Sequence, residues 1–437
     1  MLSLKRFLSF VADKGKKIFS SLLIKKKENI NHTIDLCDQL LGEDGVVSAI
    51  TIAREFWINY ERLILEEKEN FFLDINKKYR PNYSVINEIA GKFSSNPNEK
   101  NREILSEAVE GKRQELIRRL NMAPNGTQYL VHMREDLLFF LRKHEVLKSL
   151  DYDFRHLFRS WFNPGFLKLI RVQKNTDPDI LDKIIKYERV HEIKNMESLY
   201  RRLENDRLFY AFLHPIVDKE PLIFVQVALT KGIGKSIQEI TEGAVESLDD
   251  NDTATFYSIS NSSEGLQGIT LGNFLIKRVV FEIQQILPKI KNFYTLSPIT
   301  GFADWFLKQD NQKLDKILNK NLNKLNFLRD NPEIVNLDIS KIKENEKLIK
   351  DLVLHYLINE KTGKKPANGV ANFHLNNGAI IFDIVVNGDL SQKGLKDSFG
   401  LMVNYFYDND KILQNHLNFV KNGKISISEQ LKSYVKN

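Results

Sequence analysis

The sequence predicts a multidomain α+β protein, with an all-helical N-terminal bundle followed by a mixed α/β domain. Two observations carry this prediction. From about residue 30 to residue 150, apolar residues recur at helical spacings, and no strand-like alternation interrupts them. From about residue 160 onwards, short runs rich in β-branched and aromatic residues alternate with helical segments. A length of 437 residues leaves room for two or three domains.

Composition excludes several classes of protein. Hydrophobic residues make up 42% and charged residues 28%, which is a globular balance. No apolar run approaches the roughly 20 residues of a membrane-spanning helix, so we expect no integral membrane span. Cys37 is the only cysteine, which excludes an intrachain disulfide and a Cys-rich zinc site. The net charge of +7 suits an anionic small ligand as well as it suits nucleic acid. Because the Lys25–Lys27 cluster lacks interleaved aromatic residues, we expect no nucleic-acid partner.

Residues 1–29 form a basic leading segment with apolar residues at helical intervals. A mitochondrial transit peptide, a membrane-surface anchor and a leading helix with solvated lysines all fit this pattern. We expect a cytoplasmic protein, and mitochondrial targeting by this segment stays open.

The first domain is predicted to span residues 30–155. Three helical stretches lie at 46–72, 101–121 and 134–162, and a turn at Ala123–Gly126 separates the last two. Helical bundles often associate with copies of themselves. We therefore expect a homo-oligomer, a dimer or a tetramer, formed through this domain.

The second domain is predicted to span residues 156–437. Its predicted strands lie at 221–229, 253–260, 292–298 and 378–386. Residues 273–287 are predicted to be helical, and residues 399–407 fit either a helix or a strand. A long Lys/Asn-rich stretch at about 308–360 is predicted to be a helical insertion with a solvated face.

A glycine-rich segment separates the strand at 253–260 from the helix that follows it. Gly265, Gly268 and Gly272 lie there. Such a turn exposes backbone N–H groups and the positive end of the helix dipole, which suits a phosphate. The spacing fits neither G-x-G-x-x-G nor the P-loop pattern. On spacing alone, phosphate binding and a turn used only for packing explain the glycines equally well.

Two further residues stand out by their positions. Ser297 ends a predicted strand, because Pro298 restricts it to extended backbone. No G-x-S-x-G surrounds it, and a lone serine before proline is more often a turn residue than a catalyst. His374 precedes a strand and is flanked by amides and a glycine. By itself, a histidine there is more often a hydrogen-bonded structural residue. Since HExxH and paired Cys/His spacings are absent, we expect no metal site.

Several long motifs occur in one order along the second domain. They are GLQGITLGNFLIKRVV, TLSPITGF, HYLINEKTGKKPANGVANFHLNNGA and KGLKDSFGLMVNYFY, with WFNPGFLKLIRV and VHEIKNMESLYRRL upstream. In order and spacing they resemble the malonyl-CoA decarboxylase family over roughly residues 155–437. The N-terminal part is similar mainly in helical type and length.

The resemblance implies an N-terminal helical oligomerisation domain and a catalytic domain with the acetyltransferase-like (GNAT) fold. The catalytic serine and histidine of the family fall on Ser297 and His374. Ser258 matches a further active-site serine, and Tyr407 matches a tyrosine near the substrate. The family's loop that holds the CoA pyrophosphate through main-chain amides falls on Gln267, Gly268, Ile269, Thr270, Leu271, Gly272 and Asn273.

The chain departs from the family pattern in two places. One family variant has an acidic residue where this chain has Thr270. The INW-x-A-D sequence of some members becomes IVVNGD here, so that only Asp389 carries over.

The implied reaction requires no cofactor. Loss of CO2 from malonyl-CoA leaves an enolate on the thioester, and a proton delivered to carbon gives acetyl-CoA. We expect Ser297 to orient the malonyl group by hydrogen bonding, and His374, with a near-neutral pKa, to protonate the enolate as general acid.

Two other functions are compatible with parts of the sequence. A GNAT acyltransferase, moving an acyl group from CoA to an amine, would use the same CoA loop but would also need a base near an acceptor groove. A non-catalytic scaffold with a vestigial CoA pocket would have no need of both Ser297 and His374.

Overall fold

The computed structural model describes residues 30–42, 45–217, 219–269, 272–329 and 338–434. The basic leading segment predicted at residues 1–29 lies outside these ranges. The chain divides into two compact units. The first runs to Phe166 and includes the short segments Pro215–Asp218 and Ser263–Ile269, and the second comprises the remainder. The boundary predicted at residue 155 lies inside a helix, and the structural division follows Phe166.

The first unit is helical in its described residues. Its α-helices are α1 (Ile30–Gly42), α2 (Val46–Tyr60), α3 (Leu65–Lys78), α4 (Tyr83–Ser95), α5 (Glu99–Val109), α6 (Gly111–Leu120), α7 (Gly126–Leu141) and α8 (Lys148–Trp161). Short 3-10 turns lie at Glu145–Leu147, Pro164–Phe166 and Glu264–Leu266.

An aromatic cluster forms much of the core of this unit. The Phe56 ring lies 5.1 Å from Trp57 and 5.8 Å from Phe71, centroid to centroid. Phe72 continues the cluster to Phe140, at 6.0 Å. Ring pairs at these separations add to the free energy gained by burying the rings. The helical spacing of these residues therefore reflects the packing of α2 and α3 against α7.

The second unit is built on a mixed sheet. Its strands are β1 (Lys168–Arg171), β2 (Arg207–Leu213), β3 (Pro221–Thr230), β4 (Thr253–Asn261), β5 (Asn292–Pro298), β8 (Ile380–Val385) and β9 (Met402–Phe406), and a separate two-stranded ribbon is formed by β6 (Lys361–Thr362) and β7 (Lys365–Pro366). Its α-helices are α9 (Pro178–Tyr187), α10 (Met196–Arg201), α11 (Ile237–Glu242), α12 (Gly272–Ile286), α13 (Phe302–Lys308), α14 (Asn311–Ile317), α15 (Asn326–Arg329), α16 (Ile339–Glu344), α17 (Glu346–Asn359), α18 (Gly369–Asn376), α19 (Gln392–Ser398) and α20 (Ile412–Asn422). Further 3-10 turns lie at Leu322–Leu325 and Glu429–Tyr434.

The strand order is β1-β2-β3-β4-β5-β9-β8, in which β4 and β5 pair in parallel and the other neighbours are antiparallel. The parallel ladder ends at Phe256 opposite Thr295. Beyond that point β4 stays paired with β3 and β5 stays paired with β9. The two central strands therefore diverge, and past this point their facing edges form no hydrogen-bonded ladder with each other.

A β-bulge accompanies this divergence. In the β3–β4 ladder, Gln226 pairs with Ser258 whereas Val227 pairs with Phe256, so Tyr257 is the additional residue. A bulge bends its strand and increases the local twist. The bulge is thus a local backbone reason for β4 to leave β5.

One face of the sheet is covered by α9, α10 and α11. Ile184 of α9 and Leu199 of α10 pack in a buried cluster with Phe224. Further along the same face, Ile240 of α11 packs in a second cluster with Leu296. Because side chains alternate along a strand, Ser297 points to the opposite face of β5.

The predicted order of a helical N-terminal part followed by a mixed α/β domain is confirmed. The strands predicted at 221–229, 253–260, 292–298 and 378–386 are β3, β4, β5 and β8, and the helix predicted at 273–287 is α12. The ambiguous segment 399–407 contains the strand β9. Sequence reasoning missed β1 and β2; the latter is the short, almost wholly buried run RLFYAFL, which contains no β-branched residue.

Candidate active site

Three predicted site residues form a continuous hydrogen-bonded chain. His374 Nε2 lies 3.1 Å from Ser297 Oγ, and His374 Nδ1 lies 2.8 Å from the Tyr407 hydroxyl. The chain ends at Thr295, whose Oγ1 accepts a hydrogen bond of 2.9 Å from Ser297 Oγ. All four side chains are buried. The structure therefore brings together Ser297, His374 and Tyr407, which are far apart in the sequence.

Side-chain alternation and the stacked histidine explain this meeting. Thr295 pairs with Tyr405 across β5 and β9, and Ser297 and Tyr407, each two positions further along, point to the same face as this pair. Because the strands are antiparallel, Ser297 and Tyr407 lie on opposite sides of the pair, and the His374 ring bridges them. His374 lies in the last turn of α18, and its ring stacks on Tyr405 at a centroid distance of 4.4 Å.

Helix α18 is anchored at its first turn. The Asn368 side chain accepts from Ala371 N at 2.8 Å as the N-cap and donates to Thr300 O at 2.9 Å. Asn368 thus links the start of α18 to the loop after β5, and so fixes the approach of His374 to Ser297.

Burial sets the protonation of the site. Loss of hydration lowers the pKa of His374 from its ordinary 6.5 to about 3, so the imidazole is neutral near pH 7. The expectation of a near-neutral pKa is therefore wrong for this state of the protein. Burial also raises the pKa of Tyr407 well above its ordinary value, so its hydroxyl keeps its proton.

These states assign the hydrogens along the chain. Tyr407 donates to Nδ1, Nε2–H donates to Ser297 Oγ, and the Ser297 hydroxyl donates to Thr295, with each donor used once. A phenol takes the place that a carboxylate holds in a Ser-His-Asp triad. Consequently, none of the described side chains that are hydrogen-bonded to His374 carries a negative charge that would stabilise an imidazolium.

Ser258 lies elsewhere on the sheet. It is paired with Gln226 across β3 and β4, and its Oγ donates to Glu188 Oε2 at 2.8 Å. Glu188 also accepts from Ser260 Oγ at 2.9 Å and from the Gln226 amide. These groups lie on the face that carries α9 to α11, so the structure does not bring the Ser258 hydroxyl to Ser297.

The predicted phosphate loop is described only in part. Gln267 and Gly268 are exposed, Ile269 is buried, and Gly268 has a positive φ of 77°. Thr270 and Leu271 lie outside the described residues. Gly272 and Asn273 begin α12, and nothing is described of their side chains.

The first part of this loop packs on α7 within the helical unit. Arg134 donates to the carbonyl oxygens of Gly265 and Gln267, and Glu135 accepts from Gly265 N at 3.2 Å. A Cβ on Gly265 would lie 2.1 Å from Val131 O, which explains why a glycine is required there.

Asp389 is a buried acceptor rather than a member of the His374 chain. Its Oδ1 accepts from Gln238 Nε2 at 3.2 Å and from Ser391 N at 3.0 Å, and its Oδ2 lies 3.7 Å from His191 Nδ1. Desolvation by burial lowers the pKa of His191 to about 4.

Sequence reasoning missed four residues that shape these regions. Thr295 and Tyr405 were detectable, because each precedes a predicted site residue by two positions on a strand. Glu188 and Arg134 carried no such signal, since each acts on residues remote in the sequence.

Within the described ranges, no group of three or more His, Cys, Asp or Glu side chains is arranged to hold a metal ion. Among the helices of the same ranges, none is both long and apolar enough to span a bilayer.

Comparisons with known proteins cover both units. The malonyl-CoA decarboxylase C-terminal domain model matches residues 165–437, and the malonyl-CoA decarboxylase N-terminal domain model matches residues 79–162. The mitochondrial malonyl-CoA decarboxylase of Anser anser anser is 37% identical over 354 residues, covering 73% of this chain and 68% of the relative. That of Mus musculus is 34% identical over 345 residues, covering 73% and 70%.

Solved structures agree with these matches. The malonyl-CoA decarboxylase of Agrobacterium vitis has a TM-score of 0.86 and 38% identity, covering 93% of this chain and 100% of that chain. That of Rhodopseudomonas palustris has a TM-score of 0.84 and 37% identity, covering 93% and 99%. With both domains matched in order along the chain, this protein belongs to the malonyl-CoA decarboxylase family of enzymes.

Proposed function

We propose that this enzyme converts malonyl-CoA to acetyl-CoA and CO2, and that Ser297 and His374 carry the chemistry. The observation that supports this most is the buried Ser297–His374–Tyr407 chain beside the point where β4 and β5 diverge. Decarboxylation of a thioester requires an oriented carboxylate, donors for the developing oxyanion and one proton for carbon. Hydroxyl and imidazole donors in a site shielded from water suit all three requirements.

In this proposal, backbone groups bind the pantetheine arm and the pyrophosphate of CoA. Past Phe256 and Thr295, the facing edges of β4 and β5 no longer pair with each other, and unpaired backbone groups need other partners. In this proposal the extended pantetheine arm supplies those partners. Ser258 lies on β4 past this point, and since its hydroxyl donates to Glu188, a contact of Ser258 with the arm would be made by its main chain. The consecutive residues Gln267 to Asn273 hold the pyrophosphate through main-chain amides.

The proton follows from the electrostatics of the site. A malonyl carboxylate bound beside His374 places a negative charge next to a neutral imidazole, which favours its protonated form and raises its pKa. The enzyme thus takes up one proton from water together with its substrate. As CO2 leaves, the negative charge moves to the thioester enolate. The imidazolium gives its proton to carbon, acetyl-CoA forms, and His374 returns to its neutral state. Ser297 orients the malonyl group throughout.

The first test is the reaction itself. Wild-type protein is incubated with malonyl-CoA and no acceptor, and CO2 and acetyl-CoA are quantified. We expect both products in equal amounts. The His374→Asn variant should lose turnover while binding CoA within a few-fold of wild type. A folded wild-type protein that binds CoA but releases no CO2 would refute the proposal and favour acyl transfer to an amine.

A second test follows the proton. The profile of kcat/KM reports groups of the free enzyme, and the productive complex contains a proton that free His374 lacks above about pH 3, so kcat/KM should fall about tenfold per pH unit between pH 5 and pH 8, with no inflection from His374 in that range. The profile of kcat reports the substrate complex and should fall at high pH, as the raised pKa of His374 is passed. Calorimetry is performed with a malonyl-CoA analogue that cannot lose CO2, in buffers of different ionisation enthalpy. It should detect the uptake of a proton when the analogue binds.

We further propose that the helical domain forms a dimer or tetramer. Helices α4 and α5 contain no buried residue, and Tyr83, Ile104 and Val109 on them are exposed. Apolar side chains left in water favour association. Light scattering coupled to gel filtration should give a mass above 50.8 kDa, and Tyr83→Ser with Val109→Ser should lower it.

The proposal also covers the cofactor requirement of the reaction and the cellular location of the protein. The enolate chemistry uses only groups of the chain and the CoA thioester, so no metal or redox cofactor takes part. A cytoplasmic location is our expectation, mitochondrial targeting by residues 1–29 is the alternative, and cell fractionation with an antibody to the protein decides between them.

A further inference from the structure

A buried arginine of the helical unit holds the segment that precedes α12. Arg134 is 1% exposed. Its Nη1 donates to Gly265 O, its Nη2 donates to Gln267 O at 2.8 Å, and its Nε donates to Asp151 Oδ1 at 2.8 Å. A buried guanidinium has to be paired and hydrogen-bonded, and Arg134 meets this need with one carboxylate and two backbone carbonyls.

Glu135, the next residue on α7, holds the same segment through its carboxylate. Glu135 Oε1 accepts from Ser263 Oγ at 3.0 Å and from Gly265 N at 3.2 Å. Gly265 itself lies against the backbone of α7 at Val131. Residues 263–267 are thus fixed on α7 by donors and acceptors together.

This arrangement orients one peptide group in particular. In a trans peptide the C=O and the following N–H point in opposite directions. Since Gln267 O points to Arg134, the N–H of Gly268 points away from α7. Gly268 is exposed, and its N–H has no backbone acceptor within the described residues. The same glycine has a φ of 77°, a conformation that a residue with a side chain rarely adopts.

We propose that Arg134, together with Glu135, is a positioning residue that presents the Gly268 N–H to the pyrophosphate of the CoA substrate. This inference rests on the proposed function, in which the loop beginning at Gln267 binds CoA. It assigns to the helical domain a part in substrate affinity, in addition to association. Arg134 does not touch the substrate; it acts through the Gln267–Gly268 peptide.

The test compares thioesters with and without the pyrophosphate. The substrates are malonyl-CoA, malonyl-dephospho-CoA, which keeps the pyrophosphate but lacks the 3′-phosphate, and malonyl-pantetheine, which lacks both. For Arg134→Lys, KM should rise about tenfold for the first two substrates and stay within twofold for malonyl-pantetheine, with kcat changed less than about threefold. An equal rise in KM for malonyl-pantetheine, or an unchanged KM for malonyl-CoA, would overturn the inference.

Matched variants separate positioning from folding. Arg113 is also buried in the helical unit, where it bonds Asn76, Ser149 and Asp153. Arg113→Lys should lower stability without changing the ratio of KM values between malonyl-CoA and malonyl-pantetheine. Glu135→Ala, at a half-buried position, provides a second variant if Arg134→Lys does not fold, and it should raise KM for malonyl-CoA selectively.

The same proteins distinguish this inference from the proposed function. If the wild type releases no CO2, the proposed function fails, and calorimetric Kd values for CoA and pantetheine still decide the role of Arg134. Selective weakening of CoA binding in Arg134→Lys supports the inference in that case, and unchanged CoA binding refutes it.

Discussion

Replacing Tyr407 by phenylalanine removes one atom from the hydrogen-bonded chain at His374. The Tyr407 hydroxyl lies 2.8 Å from Nδ1, and the histidine is 3% exposed. In Tyr407→Phe, Nδ1 loses its hydrogen bond to the phenol inside a buried site, and the imidazole is free to exchange tautomers. The form with the proton on Nδ1 cannot donate from Nε2 to Ser297.

The size of the effect follows from the burial. Leaving a buried acceptor without its hydrogen bond costs about 1–3 kcal/mol. If the bond is needed in the transition state, kcat should fall by roughly 10- to 100-fold. The KM for malonyl-CoA should change little, because Tyr407 contacts His374 rather than the loop at Gln267.

Tyr405→Phe is the matched control for this experiment. Tyr405 stacks on the same imidazole at 4.4 Å, yet its buried hydroxyl has no hydrogen-bond partner within the described residues. Removing that hydroxyl keeps the stacked ring and breaks no bond to His374. Steady-state kcat and KM are measured for both variants by the release of CO2, with circular dichroism to confirm folding. We expect wild-type kcat within about threefold for Tyr405→Phe.

Two outcomes would refute this reasoning. A folded Tyr407→Phe variant with wild-type kcat would show that the phenol does not set the working state of His374. Equal losses in the two variants would show that ring packing matters and that the hydrogen bond to Nδ1 does not.

Further predictions concern the same residues and the loop. Since burial lowers the pKa of His374 to about 3, the unfolded chain binds a proton there that the folded chain does not. Stability should therefore fall by about 2 kcal/mol from this group between pH 7 and pH 5, and urea unfolding of His374→Asn should show a shallower loss. Ser297→Ala should lower kcat about 100-fold in the CO2 assay, because an oriented hydroxyl is lost. Gly265→Ala should lower the free energy of unfolding by about 1–3 kcal/mol, because its Cβ would overlap Val131 O. Dialysis against EDTA should leave CO2 release unchanged, because the enolate chemistry uses no metal.

Regular elements and the residues at strand ends were predictable from the sequence. β-Branched and aromatic composition identifies β3, β4 and β5, and Pro298 marks the end of the strand that carries Ser297. The resemblance to the family added His374 and Tyr407, which no local pattern connects to Ser297. Their assembly depends on the pairing of β5 with β9, a contact between strands more than 100 residues apart.

The failures have a physical cause in long-range contacts and burial. The bulge at Tyr257 cannot be read from FYSISN, although it keeps Ser258 on the face of Gln226 and Glu188. The near-neutral pKa expected of His374 neglected desolvation, which depends on how completely β9 and α18 enclose the ring. The hydrogen bonds of Arg134, on which its proposed role rests, reach carbonyls more than 100 positions away along the chain.

The divergence of β4 from β5 has a consequence for how substitutions can change the acyl group that this enzyme accepts in its substrate. The opening is made by the course of two main chains and by a bulge, so exchanging side chains along its walls does not close it. If the pantetheine arm binds in this opening as proposed, binding of the arm and choice of the acyl group are separable traits. Tolerance for a branched substrate such as methylmalonyl-CoA would be decided by the few side chains that surround Ser297 and His374. Single substitutions there would alter selectivity for the acyl group and leave the affinity for CoA unchanged.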